Sequence, residues 1–180
     1  MWLREALIWK RLTHPNIVPF IGVTLNPLQL VSEWMSGGNL TAYIKSNPRV
    51  DRVSLVSPSD PPLKHGLTFQ QLVGVAEGLN YLHRCEVVHG DLKGVSALPV
   101  PNSGFAYRCL QPNIMVDAHN RPRITDFGLA LNQGVPDQTN PTAGGTARWT
   151  APEILNGEGR PSKKADVFSF AMVMVEVRFG

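Results

Sequence analysis

Three short stretches hold the residues best suited to chemistry. His89-Gly90-Asp91-Leu92-Lys93 follows the apolar pair Val87-Val88, Asp126-Phe127-Gly128 follows Arg123-Ile124-Thr125, and Ala151-Pro152-Glu153 comes 25 residues after Asp126. Asn113, in Pro112-Asn113-Ile114-Met115, adds an amide oxygen. A carboxylate takes up protons or holds a hard cation, and a lysine neutralises an anion. Taken singly, each stretch reads equally well as solvated loop polarity.

The elements that must position these residues follow from periodicity. Leu3, Leu7, Ile8 and Leu12 recur at helical spacing and predict an amphipathic helix stopped by Thr13-His14-Pro15. Residues 17–24 and 28–32 read as two strands around an Asn26-Pro27 turn, and Asn39 is placed to cap a helix running to Ile44. A longer helix, 72–83, carries Leu72, Val75, Ala76, Leu79 and Leu82 on one side. Strand-like pieces follow at 87–88, 114–116 and 123–125. The closing stretch, 165–177, is nearly all apolar and predicts a buried helix. There is no internal repeat.

Composition narrows the function classes. One domain fits 180 residues, and 43% hydrophobic content suffices for a core. A net charge of +3 with no Lys/Arg run longer than Lys163-Lys164 is a weak field, which argues against nucleic acid. No apolar run approaches the roughly 20 residues of a membrane span, and the charged pair Arg4-Glu5 interrupts any apolar signal stretch. Two cysteines, Cys85 and Cys109, suit a reducing, cytoplasmic setting.

In their order along the chain, the three motifs resemble the catalytic loop, metal-binding loop and activation-segment end of the protein kinases. The flanks agree: Gly78-Leu79-Asn80-Tyr81-Leu82-His83, Gly145-Thr146-Ala147-Arg148-Trp149-Thr150 and Asp166-Val167-Phe168-Ser169-Phe170. The resemblance implies an α+β, two-lobed kinase-like fold, with residues 1–35 as part of the small lobe and 36–180 as part of the large one. It further implies ATP and Mg²⁺ as cofactors and a protein substrate with a Ser or Thr acceptor. By the same resemblance, Asp91 accepts or orients the substrate hydroxyl proton, Lys93 places positive charge on the transferring phosphoryl group, and Asp126 and Asn113 hold Mg²⁺. Ser32 stands at the gatekeeper position, backbone groups of Glu33 and Met35 hold the adenine edge, and Glu5, nine residues before His14, is the lysine-pairing acid. Trp9, Phe20, His89 and Phe127 match the apolar column that links the lobes.

Asp91-Leu92-Lys93 with Thr146 resembles the Ser/Thr pattern, whereas Thr150 beside Ala151 is similar to tyrosine kinases. The tyrosine-kinase-like Ser/Thr group therefore fits best. Gly90 stands where the family usually has an arginine, so a phosphate on Thr139 or Thr142 would lack its usual cation; both are read as solvated loop residues.

The family's Gly-rich loop and strand lysine would lie before residue 1, and its later helices after residue 180. The chain therefore reads as a kinase fragment, inactive or weakly active as it stands, with a pseudokinase or protein-binding module as the alternative. Two strands would leave the apolar face of the first helix exposed. Glu153, if buried, would cost about 3–5 kcal/mol unpaired.

Two stretches break the pattern, 54–69 and 95–111. In the family the catalytic-loop Asn lies five residues after the Asp, whereas Asn113 lies 22 after Asp91. Removing residues 95–111 restores the spacing. Loop entropy alone does not forbid the extra length, which costs only about 1.3 kcal/mol; accurate placement of Asn113 beside Asp91 is the stronger objection. Val95-Ser96 can be encoded GTAAGT, Gln111 CAG, and Ala106-Tyr107 can contain CTTAC. These are intron-like signals around 17 in-frame codons, so the segment is expected to be a translated intron, with a surface loop as the rival reading. Residues 56–70 also begin Val-Ser and end in Gln, a weaker case of the same kind.

Overall fold

A computed structural model describes residues 2–47, 67–94, 112–126, 131–132 and 147–179. The suspected insertion 95–111 and most of 56–70 lie outside these residues, as do Phe127, Thr139, Thr142 and Thr146.

The first helix, α1 (Trp2–Trp9), ends before Thr13-His14-Pro15 as its sequence requires. Its apolar face is not left bare. Ile8, Trp9 and Leu12 are buried with Ile17 and Val18, while Leu7 is 63% exposed. The indole of Trp9 explains the difference: its N–H donates to the Val18 carbonyl at 2.6 Å, and its ring packs on Phe20 with centroids 5.6 Å apart. Strands β1 (Phe20–Leu25) and β2 (Leu28–Ser32) form an antiparallel hairpin around Asn26-Pro27, in register from Leu25 opposite Leu28.

Beyond the hairpin, β3 (Gly38–Asn39) leads into α2 (Leu40–Ser46), where the Asn39 side chain accepts the Ala42 N–H at 2.8 Å. That bond satisfies one of the first-turn donors of a helix and fixes its start. Helix α3 (Leu67–Arg84) buries Leu72, Val75, Leu79 and Leu82 on one side. It begins five residues earlier than periodicity predicts. The added residues include exposed Phe69 and Gln70, which bury no side and so leave no periodic signal.

Three short antiparallel ladders follow. Strand β4 (Val87–Val88) pairs with β7 (Leu131–Asn132), and β5 (Ile114–Val116) lies between β3 and β6 (Pro122–Ile124). The β3–β5–β6 sheet is joined to the segment between α1 and β1 through a parallel bridge between Ile17 and Ile124. Arg123 reinforces this junction by donating to the Ile17 carbonyl and to Asp117. A 3-10 turn (Ala147–Trp149) and α4 (Pro152–Leu155) then lead to α5 (Lys163–Phe179).

Helix α5 corrects one expectation. It is buried on one face only, through Ala165, Asp166, Ser169, Val173, Glu176 and Val177, while Val167 and Val175 are 56% and 48% exposed. Apolar composition gave no face to choose, and the packing against the 3-10 turn and α3 chose it. Glu153 is exposed, so the cost attached to its burial does not arise. Helices together with small antiparallel ladders make this an α+β fold.

At the β5–β6 turn, buried Asp117 accepts the N–H groups of His119 and Arg121 and the guanidinium of Arg123. Burial alone would raise its pKa, but these donors and the Arg123 charge outweigh it and bring it down to about 2 from 3.8. A depressed carboxyl stabilises the fold above its unfolded pKa and loses that contribution as pH falls through the folded value. Asp117→Asn is therefore expected to lower stability by about 1–2 kcal/mol at pH 7. The deficit relative to the parent should vanish between pH 4 and 2, which melting curves across that window would reveal.

Candidate active site

Helix α3 and strand β4 deliver residues 89–94 to the centre of the molecule, and one carboxylate from α5 fixes them there. Asp166, 1% exposed, accepts the His89 and Gly90 N–H groups at 2.9 Å each and meets His83 Nε2 at 2.8 Å. Gly90 adopts φ +80°, a left-handed conformation open to glycine at little cost. His89 is fully buried. Its Nδ1 accepts the Asp91 N–H, so its Nε2 carries the proton and donates to the Thr125 carbonyl at 3.0 Å.

Asp91, Lys93 and Asn113 meet directly. The Lys93 ammonium lies 2.6 Å from Asp91 Oδ2. Asn113 Nδ2 donates to the Asp91 carbonyl at 2.6 Å and lies 3.4 Å from Oδ2. Lys93 and Asn113 are buried, at 6% and 0% exposure. The amide oxygen of Asn113, Oδ1, has no hydrogen-bond partner among the described residues. A buried orphan acceptor is costly unless a ligand completes it.

Asp126 joins the group through the backbone. Thr125, its neighbour, donates its N–H to the Asn113 carbonyl at 3.0 Å, and Asp126 itself has φ +64°. A non-glycine residue held there costs on the order of 1 kcal/mol, a strain that clusters at functional sites. An aspartate carboxylate and an unpartnered amide oxygen are hard donors of the kind that suit Mg²⁺.

The remaining predicted residues sit on other elements. Glu5 is buried in α1. Glu33 donates its N–H to the Pro19 carbonyl and thereby ties the end of β2 to the residue before β1. The Ser32 hydroxyl points to the Glu33 carbonyl at 3.5 Å, and buried Met35 offers its own carbonyl to the Gly38 N–H. Of the apolar column, Trp9, Phe20 and His89 lie within the described residues.

Sequence reasoning overlooked Glu176. Its Oε2 accepts the Trp149 indole N–H at 3.1 Å, and burial raises its pKa while the Trp149 bond opposes the rise. It also underlies Gly94, where an added Cβ would lie 2.5 Å from Oε2. Asp166 was quoted only as part of a motif, not as an anchor. The available signal was two carboxylates ten residues apart within an otherwise apolar helix, since such charges are seldom buried without a task.

Comparison with known proteins agrees with the geometry. The protein kinase domain family model matches residues 1–180. A probable serine/threonine-protein kinase, drkC, of Dictyostelium discoideum is 35% identical over 97% of this chain, which spans 20% of that protein. Serine/threonine-protein kinase CTR1 of Arabidopsis thaliana is 34% identical over 98% of the chain and 18% of its own length. The dual specificity protein kinase zakA of Dictyostelium discoideum is 32% identical over 94% of the chain and 20% of its own length. The chain thus spans about a fifth of the length of these relatives. Among the described residues, no helix is long and apolar enough to cross a membrane. A family match over every residue, on a loop that brings Asp91, Lys93 and Asn113 into contact, establishes that this chain belongs to the protein kinase family.

Proposed function

We propose that this chain carries the phosphate-transfer centre of a Ser/Thr protein kinase, moving the γ-phosphate of ATP to a serine or threonine hydroxyl of a protein. The observation that carries this reading is the Asp91 carboxylate, clamped by the Lys93 ammonium beside an Asn113 amide whose oxygen has no partner among the described residues. Phosphoryl transfer asks a protein mainly to position groups and neutralise charge. Asp91 orients the acceptor hydroxyl and takes up its proton. Lys93, two residues on, offers its ammonium to the transferring oxygens as well as to Asp91. Asn113 Oδ1 and the Asp126 carboxylate would hold Mg²⁺, which when bound neutralises charge on the phosphates.

The other roles follow from position. Backbone groups of Glu33 and Met35 receive the adenine edge, Ser32 bounds that pocket, and Glu5 on α1 is the acid that pairs with an ATP-binding lysine. Gly90 removes the arginine that commonly receives an activation-segment phosphate, while Asp166 holds the catalytic loop through two N–H bonds. The loop therefore has a phosphate-independent brace. Trp34, 86% exposed beside the hinge, favours a second reading in which the same surface engages a protein partner without turnover.

The test, on the product of the whole gene, is transfer of labelled phosphate from Mg-ATP to a general protein substrate, followed by acid hydrolysis. Label on phosphoserine and phosphothreonine that disappears with Asp91→Asn is expected. Label on tyrosine alone would overturn the acceptor class, and binding without transfer would favour the partner-binding reading.

A further inference from the structure

The two ends of the 17-residue stretch 95–111 are held in a relation that the intervening length does not require. Asn113 donates its N–H to the Lys93 carbonyl at 3.2 Å. As numbered, this bond closes a loop of about twenty residues. With Gly94 followed by Pro112, the same bond would join residue i to residue i+3, the hydrogen bond that defines a closed β-turn. Gly94 and Pro112 would be its two central residues.

Independent features fit Gly94 to that place. Proline crowds the Cβ of the residue before it, and glycine has none. A Cβ at Gly94 would also strike Glu176 Oε2 at 2.5 Å. The Gly94 carbonyl is fixed by the Thr41 hydroxyl at 3.0 Å. On the far side, Asn113 Nδ2 and the Asn113 carbonyl are both engaged, by Asp91 and by Thr125. Each flank is thus anchored up to the point of departure.

We infer that the working kinase has Gly94 joined directly to Pro112, and that residues 95–111 are the translation of an intron left in the message. The codons available for Val95-Ser96 and Gln111 supply the required ends, and 17 codons keep the frame. The Lys93–Asn113 turn, not the segment, places Asn113 against Asp91. This inference goes beyond the proposed activity and does not need the chain to turn over, since its readouts are a message and a melting temperature.

Sequencing the transcript across the locus is the direct experiment. A message lacking the 51 nucleotides is expected, and a message that always retains them would overturn the inference. Two deletions provide a second measurement on the polypeptide. Removing 95–111 should raise the melting temperature of the chain by about 3–5 °C, from loop entropy alone. Removing only 95–110 leaves Gln111 between Gly94 and Pro112, which shortens the loop almost equally but opens the turn. It should melt measurably below the 95–111 deletion. Equal melting of the two, or failure of the 95–111 deletion to fold where the parent folds, would overturn the inference.

Discussion

In the product of the whole gene, Asp91→Asn is expected to lower the rate of phosphate transfer by roughly 10²–10⁴-fold, the range typical of removing a positioned acid–base group. Asparagine keeps the size of the side chain and one oxygen, so the Lys93 ammonium at 2.6 Å retains an acceptor. The backbone bonds made by the Asp91 carbonyl and N–H do not depend on the carboxylate. Nucleotide affinity and melting temperature should therefore stay close to those of the parent while transfer collapses. Separate measurement of the ATP dissociation constant and of single-turnover transfer distinguishes the two effects. A rate within a few-fold of the parent would mean that Asp91 does not act on the acceptor hydroxyl, and the catalytic assignment would fall.

The second large effect is expected at Asp166, which acts through the loop that carries Asp91. Its carboxylate receives two backbone N–H groups of the catalytic loop and the ring of His83. Alanine there leaves the His89 N–H, which has no access to water, without an acceptor, and removes a charge-assisted partner from Gly90 and His83. A buried donor left unsatisfied costs about 1–3 kcal/mol, and three lost bonds to one carboxylate bring the expected loss to about 3–5 kcal/mol. That is a large part of the stability of an ordinary domain, and it should appear as a fall of roughly 10 °C in melting temperature. Asp166→Asn restores one acceptor oxygen and should recover part of the loss. Its residual activity should fall further than its stability, because the loop that carries Asp91 is the part released. An alanine variant that melts within 2 °C of the parent would show that the brace is dispensable.

How much of this could be read from the residues depends on the range of the interaction involved. Short-range rules worked well. Asn39 caps α2 because its side chain needs only the backbone three residues on. The β1–β2 hairpin closes at Asn26-Pro27 because turn chemistry is local. Asp91, Lys93, Asn113 and Asp126 were identified by motif, and the structure places the first three in contact. Longer-range relations were less legible. Periodicity missed the first turn of α3, since its exposed residues bury no side. It also misjudged α5, where a nearly uniform apolar sequence does not say which face meets the core.

The sequence by itself determined the chemistry available: Asp91, Lys93 and Asn113 followed by Asp126, in the order of the catalytic and metal-binding loops that the kinase resemblance implies, on a mixed helix-and-strand chain of weak net charge. It also marked residues 95–111 as foreign to that order. Only the tertiary structure decided what holds the site in shape. Asp166 braces the loop across 77 positions of sequence, and Glu176 lies beneath Gly94 from the far end of the same helix. The Asn113 amide oxygen is buried without a hydrogen-bond partner among the described residues. Such facts depend on which groups are buried together and which hydrogen bonds are already used. Burial makes an unpaired polar group costly, and it is a property of the packed chain that no local pattern records.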